Sequence, residues 1–167
     1  GNTTLSTYDS YGNLKTKTDA LGNVTTYNYD AQGNLLSMTN ALGETVNNTY
    51  TEKGQLKTIT SMGVTQFVVD YDNFGNLTNT TDAEGNETKY QYDLKGRVTS
   101  ITDGIGSHMQ MSYDSEGRVV SSVNGNGETV TFTYDSEGNC ASKTVTRTTE
   151  NGVENLTEKY AYDVYGN

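Results

Sequence analysis

One interval constrains this chain more than anything else in it: Tyr-Asp-x-x-Gly returns every 21 residues. The tyrosines are Tyr8, Tyr29, Tyr50, Tyr71, Tyr92, Tyr113 and Tyr134, and an eighth, Tyr162, follows after 28. The glycines four residues later are Gly12, Gly33, Gly54, Gly75, Gly96, Gly117, Gly138 and Gly166. Asp stands after the tyrosine at Asp9, Asp30, Asp72, Asp93, Asp114, Asp135 and Asp163, with Thr51 as the exception. A period of this length means an array whose units are stabilised by their neighbours and not by one globular core. The whole chain, 1–167, reads as a single array with partial repeats at both ends, which predicts a piece of something larger.

Each period holds a second turn signal about ten residues after the first, as in Asp19-Ala20-Leu21-Gly22, Asn40-Ala41-Leu42-Gly43 and Asn124-Gly125-Asn126-Gly127. Asp or Asn first and Gly fourth is the signature of a type I turn closed by a glycine bulge. Between turns the residues alternate. Tyr27 and Tyr29 share one face and Asn28 the other, and Leu35, Ser37 and Thr39 are expected to share a face on the outgoing strand. The fold class is therefore all-β: an up-and-down antiparallel strip of about sixteen short strands in hairpin repeats. At about 20–25° of twist per strand such a strip cannot stay flat, so it is expected to twist and curl.

The third copy has its second glycine one place early, at Gly63. The seven extra residues before Tyr162 fall around Thr148 to Asn155, which predicts a longer hairpin around 144–159. Asn151-Gly152 signals a tight hairpin there, and three or four added residues per arm would carry it about 10–13 Å past its neighbours, as a contact arm.

Chemistry is sparse. The formal charge is -10, which argues against nucleic acid and anionic membrane surfaces, and no apolar run approaches a membrane span. His108 is the only histidine and Cys140 the only cysteine. Neither sits where the repeat prepares a partner, so no catalytic residue is assigned and the chain reads as a non-enzyme. Repeated Asp and Gly suggest calcium, but equivalent carboxylates lie two strands apart, about 9.6 Å, too far to share one ion. Each Asp is better read as capping its own turn, and no metal or cofactor is assigned. Regular tyrosines allow a second reading, sugar stacking on a cell-wall glycan, although a core ladder is the simpler use of one Tyr per repeat.

The heptads Tyr92-Asp93-Leu94-Lys95-Gly96-Arg97-Val98 and Tyr113-Asp114-Ser115-Glu116-Gly117-Arg118-Val119 resemble the YD repeat of Rhs-type proteins, with Asn in place of Arg in most other copies. The resemblance covers the whole chain. It implies a hairpin strip forming part of a hollow β-shell, as in bacterial polymorphic toxins, toxin complexes and teneurins, where the shell encloses or presents a toxin or adhesion domain. It further implies a larger secreted or cell-surface bacterial protein whose remaining repeats and enclosed C-terminal domain are the partners. Separately, exposed end strands invite end-to-end self-association. The family's proline-containing self-cleavage region has no counterpart here, because the chain contains no proline.

Overall fold

The computed structural model describes residues 3–162. Asp163 and Gly166 of the eighth repeat lie outside these residues. Within them the chain forms fifteen strands in antiparallel up-and-down order, each following the last in sequence. The sixteenth expected from the period would follow the eighth turn.

Contacts divide the chain into two compact units, Gly1–Asn86 and Glu87–Asn167. The first holds β1 (Leu5–Tyr8), β2 (Leu14–Thr18), β3 (Val24–Tyr29), β4 (Leu35–Thr39), β5 (Thr45–Tyr50), β6 (Leu56–Ser61), β7 (Val64–Tyr71) and β8 (Leu77–Asp82). The second holds β9 (Glu87–Tyr92), β10 (Val98–Thr102), β11 (His108–Tyr113), β12 (Val119–Val123), β13 (Thr129–Tyr134), β14 (Cys140–Thr149) and β15 (Gly152–Lys159). Strands joined by the Tyr-Asp turn alternate with strands joined by the second turn, so each unit carries a tyrosine edge and a far edge.

The register reveals a device that alternation alone does not show. Asn28 faces Ser37, but Tyr29 faces Leu35, so Leu36 is a bulge. The same slip separates Ser112↔Ser121 from Tyr113↔Val119. A one-residue slip transfers a side chain to the opposite face. Leu35 therefore joins Tyr29 and Tyr27, while Ser37 and Thr39 stay on the other side, which corrects the expectation that all three share a face.

The two faces differ in chemistry as a result. One is apolar, with cross-strand rows such as Tyr27↔Met38↔Val46 and Val130↔Val145↔Leu156. The other is made of short hydroxyl and amide side chains that bond in pairs: Thr7 to Thr16 at 2.6 Å, Thr49 to Thr58 at 2.6 Å, Thr144 to Thr157 at 2.9 Å. Strand contacts among the described residues run only between strands consecutive in sequence. Among the described residues only Val69 and Ser100 are buried, at 5% and 7% exposure. Cohesion thus rests on ladder hydrogen bonds and same-face pairs between adjacent strands, each pair contributing about 0.2–1 kcal/mol.

Candidate functional site

Among the described residues, the tyrosine, the Asp (or Thr51) and the glycine of each copy lie together at the tyrosine edge of their unit. The Asp9 turn shows the construction. Gly12 N–H donates to Asp9 O at 3.2 Å and Asp9 N–H donates to Asn13 O at 2.9 Å. Gly12 takes φ 88, a conformation that glycine alone adopts without strain. Asp9 Oδ1 accepts from Tyr11 N and Asn13 N, both at 2.9 Å, and its Oδ2 accepts from Asn13 Nδ2 at 3.0 Å. The side chain thus holds the turn from within.

The residue after the glycine completes the turn, a role that motif spacing alone did not reveal. It is Asn34 on Asp30, Asn76 on Asp72 and Asn139 on Asp135, each through Nδ2 to Oδ2. In two copies it is arginine: Arg97 Nε reaches Asp93 Oδ2 at 2.7 Å and Arg118 Nε reaches Asp114 Oδ2 at 2.6 Å. The second turn at Asp19 follows the same rule with Asn23, and at Asn40 the roles are exchanged, with Asn40 Nδ2 donating to Glu44 Oε2 at 2.6 Å. One carboxylate and one donor, four residues apart, was the readable signal. Thr51 lacks the second oxygen, and the amide of Gln55 turns instead to Gly75 O in the next repeat, at 2.9 Å.

These bonds set the electrostatics. The Asn13 amide and turn N–H groups hold the Asp9 carboxyl below its ordinary range, and Asn34 and Asn76 do the same for Asp30 and Asp72. At Asp93 the Arg97 backbone N–H leads and its guanidinium adds to it. Partial desolvation opposes the shift at Asp114 and Asp135, yet both carboxyls remain lowered by the Arg118 and Asn139 donors.

The tyrosines have a second role. The ladder between β4 and β5 stops at Ser37↔Asn47, leaving the Leu35 carbonyl without a strand partner on that side. Tyr50 OH donates to it at 2.9 Å and Asn48 Nδ2 at 3.0 Å. Tyr71 binds Leu56 O at 2.9 Å, Tyr113 binds Val98 O at 2.6 Å and Tyr134 binds Val119 O at 2.7 Å. Each phenol therefore fastens its hairpin to the preceding one. Arginine adds a further tie: Arg97 stacks over the Tyr113 ring at 4.5 Å and donates to Asp114 O at 3.1 Å, and Arg118 stacks over Tyr134 at 4.5 Å. Tyr8, on the first strand, is 62% exposed. Tyrosine, never phenylalanine, at the motif position was the sequence signal for a hydroxyl at work.

The remaining candidates stay apart. His108 Nδ1 lies 2.8 Å from Thr102 Oγ1, and half-buried Cys140 directs its thiol to Ser142 O at 3.4 Å. Among the described residues no group of three His, Cys, Asp or Glu side chains is placed to hold a metal ion. The arm is built from β14 and β15, but its tip falls one residue earlier than Asn151-Gly152: Thr149 pairs with Gly152, and Glu150 and Asn151 make the turn. β13 ends opposite Thr146, so the arm runs three residues further, about 10 Å.

The RHS repeat model matches residues 8–45, 71–107 and 113–154, more than half of the chain. The chain belongs to the RHS repeat family. Among solved structures, its fold is similar to that of the TcdB2-TccC3-Cdc42 crystal structure, with 25% identity, a TM-score of 0.56, and coverage of 97% of this chain and 9% of that one. It is also similar to TcdB2-TccC3-TEV, with 16% identity, a TM-score of 0.60, and coverage of 98% and 11%. This RHS-repeat chain thus spans about a tenth of those chains. A search of curated proteins by sequence finds no match.

Proposed function

We propose that this RHS-repeat chain is a wall segment, part of the β-shell of a larger secreted or cell-surface protein that encloses or presents a toxin or adhesion domain. One observation carries the reading: the motif's own chemical groups are bound to the chain's backbone, from one turn to itself and from one repeat to the next. Such a motif turns its groups toward its own chain and builds surface. The uncovered apolar face is the second support, since a sheet with Tyr27, Met38 and Val46 in a row favours something packed against it. β1 and β15 end the strand order, and further repeats of the same parent chain are the partners their backbone edges fit.

The test uses the parent protein. Its enclosed domain should resist a protease that digests the same domain expressed alone, and equal digestion rates would overturn the reading. A wall-glycan module requires free aromatic platforms, whereas Tyr50, Tyr71, Tyr113 and Tyr134 are half-buried and bonded. Glycan binding that disappears on Tyr→Ala changes while the fold survives would favour that module over a wall.

A further inference from the structure

Three Asn-Gly pairs occur in the chain, at 124–125, 126–127 and 151–152. This dipeptide carries its own chemistry. The glycine nitrogen attacks the asparagine Cγ, ammonia leaves, and a five-membered succinimide forms. Water then opens the ring at either carbonyl to give aspartate or isoaspartate. Water enters and ammonia departs, so no oxidant, metal or enzyme is required. The fold decides the rate, because the amide must be free to swing and the turn must be able to open.

The three sites differ in both respects. Asn124 is held at both ends of its amide: Oδ1 accepts from Asn126 N at 3.1 Å and Glu128 N at 3.0 Å, and Nδ2 donates to Glu128 Oε2 at 3.0 Å. Its Gly125 is crowded as well, with His108 N only 3.1 Å from where a Cβ would stand. Asn126 has an exposed side chain, but its turn is clamped by those Asn124 bonds and by Gly127 N–H donating to Asn124 O at 2.9 Å. Asn151 is exposed, and among the described residues no group bonds its side-chain amide. The side-chain hold on its turn comes from Thr149, whose Oγ1 accepts from Asn151 N at 3.3 Å and donates to Gly152 O at 3.0 Å. The tip also stands three residues beyond β13, where β14 has lost that neighbour.

We propose that Asn151 is a site of spontaneous deamidation, where the arm tip acquires a carboxylate in the folded chain while Asn124 and Asn126 are protected. The new charge falls between Glu150 and Glu154, the latter already paired with Arg147 at 2.9 Å. The isoaspartate product also lengthens the main chain by a methylene at the tightest point of the arm.

The experiment incubates the full chain, folded and in denaturant, in mildly alkaline buffer and follows each site by peptide mapping and mass spectrometry. Freeing Asn124 means first breaking the three hydrogen bonds that hold its amide. In the folded chain Asn151 should therefore convert at least about tenfold faster than Asn124, equivalent to about 1.4 kcal/mol, with Asn126 between them. In denaturant the three rates should converge, since the dipeptide is the same. Asn151→Gln should abolish the early acidic species. Equal conversion of the three sites in the folded chain would overturn the proposal. So would the same ranking in denaturant, or an early acidic species that persists in Asn151→Gln.

Discussion

The turn at Asp93–Gly96, on a tyrosine edge, reaches into the next repeat through Arg97, which touches both Asp114 O and the Tyr113 ring. The turn at Asn124–Gly127, on a far edge, directs its side-chain bonds inward, to Asn126 and Glu128 of its own loop. Both turns use one geometry, with Gly96 at φ 78 and Gly127 at φ 77. What separates them is fastening between repeats, and the irregularities of the chain follow that difference. The early glycine produces a two-residue turn at Met62 and Gly63 with φ 50 and 81, on a far edge. The seven-residue insertion also lies on a far edge. Even after it, Tyr162 OH still binds Cys140 O at 3.0 Å, across 22 residues where the regular repeats use 15. The tyrosine edge fixes the period, and the far edge is where the chain can vary.

Acid should separate the edges most strongly. Asp9, Asp30, Asp72, Asp93, Asp114 and Asp135 on tyrosine edges have lowered pKa values, whereas on far edges only Asp19 and Asp82 show that shift. A carboxyl whose folded pKa lies below its unfolded value stabilises the fold above the unfolded value, and that contribution disappears as pH falls through the folded one. Melting temperature should therefore hold from neutral pH to the ordinary aspartate range and drop below it. Site-resolved NMR should show the tyrosine-edge turns loosening before those headed by Asn40 and Asn124. Simultaneous loosening would break the comparison.

A single hydroxyl tests the fastening itself. Tyr113→Phe keeps the ring under Arg97 but removes the donor to Val98 O. Leaving that carbonyl unpaired should lower stability by about 1–2 kcal/mol in denaturant unfolding. Tyr8→Phe, at the 62% exposed ring of the first strand, should change almost nothing. Equal losses at both positions would mean that the phenol acts through its solvation and not as a tie between hairpins.

Much of this was legible in the residues before any coordinate. Asp and Gly at fixed spacing give the turn because each has only one good use there: an oxygen aimed at its own loop and a backbone free to take positive φ. Strand alternation was legible in Tyr27, Asn28 and Tyr29. The bulge at Leu36 was not, because it has no residue signature: the corresponding positions hold Lys15, Lys57, Thr78, Thr99, Val120 and Ala141. It becomes visible only when two strands are paired, and it moved Leu35 to the other face. The ties between repeats were hidden for a related reason. Tyr50 and Leu35 lie 15 residues apart, and nothing in the heptad says that a ladder stops short and leaves a carbonyl open.

The smallest expected effect is also a strict test of the difference between edges. Beyond Thr146 the arm makes pairs only with itself, among them the exposed Arg147–Glu154 ion pair at 2.9 Å. Removing residues 147–154 and closing the strands with an Asp-x-x-Gly turn deletes those pairs and shortens a loop. Exposed ion pairs typically contribute about 0–1 kcal/mol, and loop shortening returns a comparable amount of entropy. The net change should be within about 0.5 kcal/mol, and Tyr162 should still reach Cys140 O. A loss several times larger would show that the far edge is also fastened, through the arm. An unchanged fold would leave the arm, like the deamidating tip it carries, as surface free to serve contact alone.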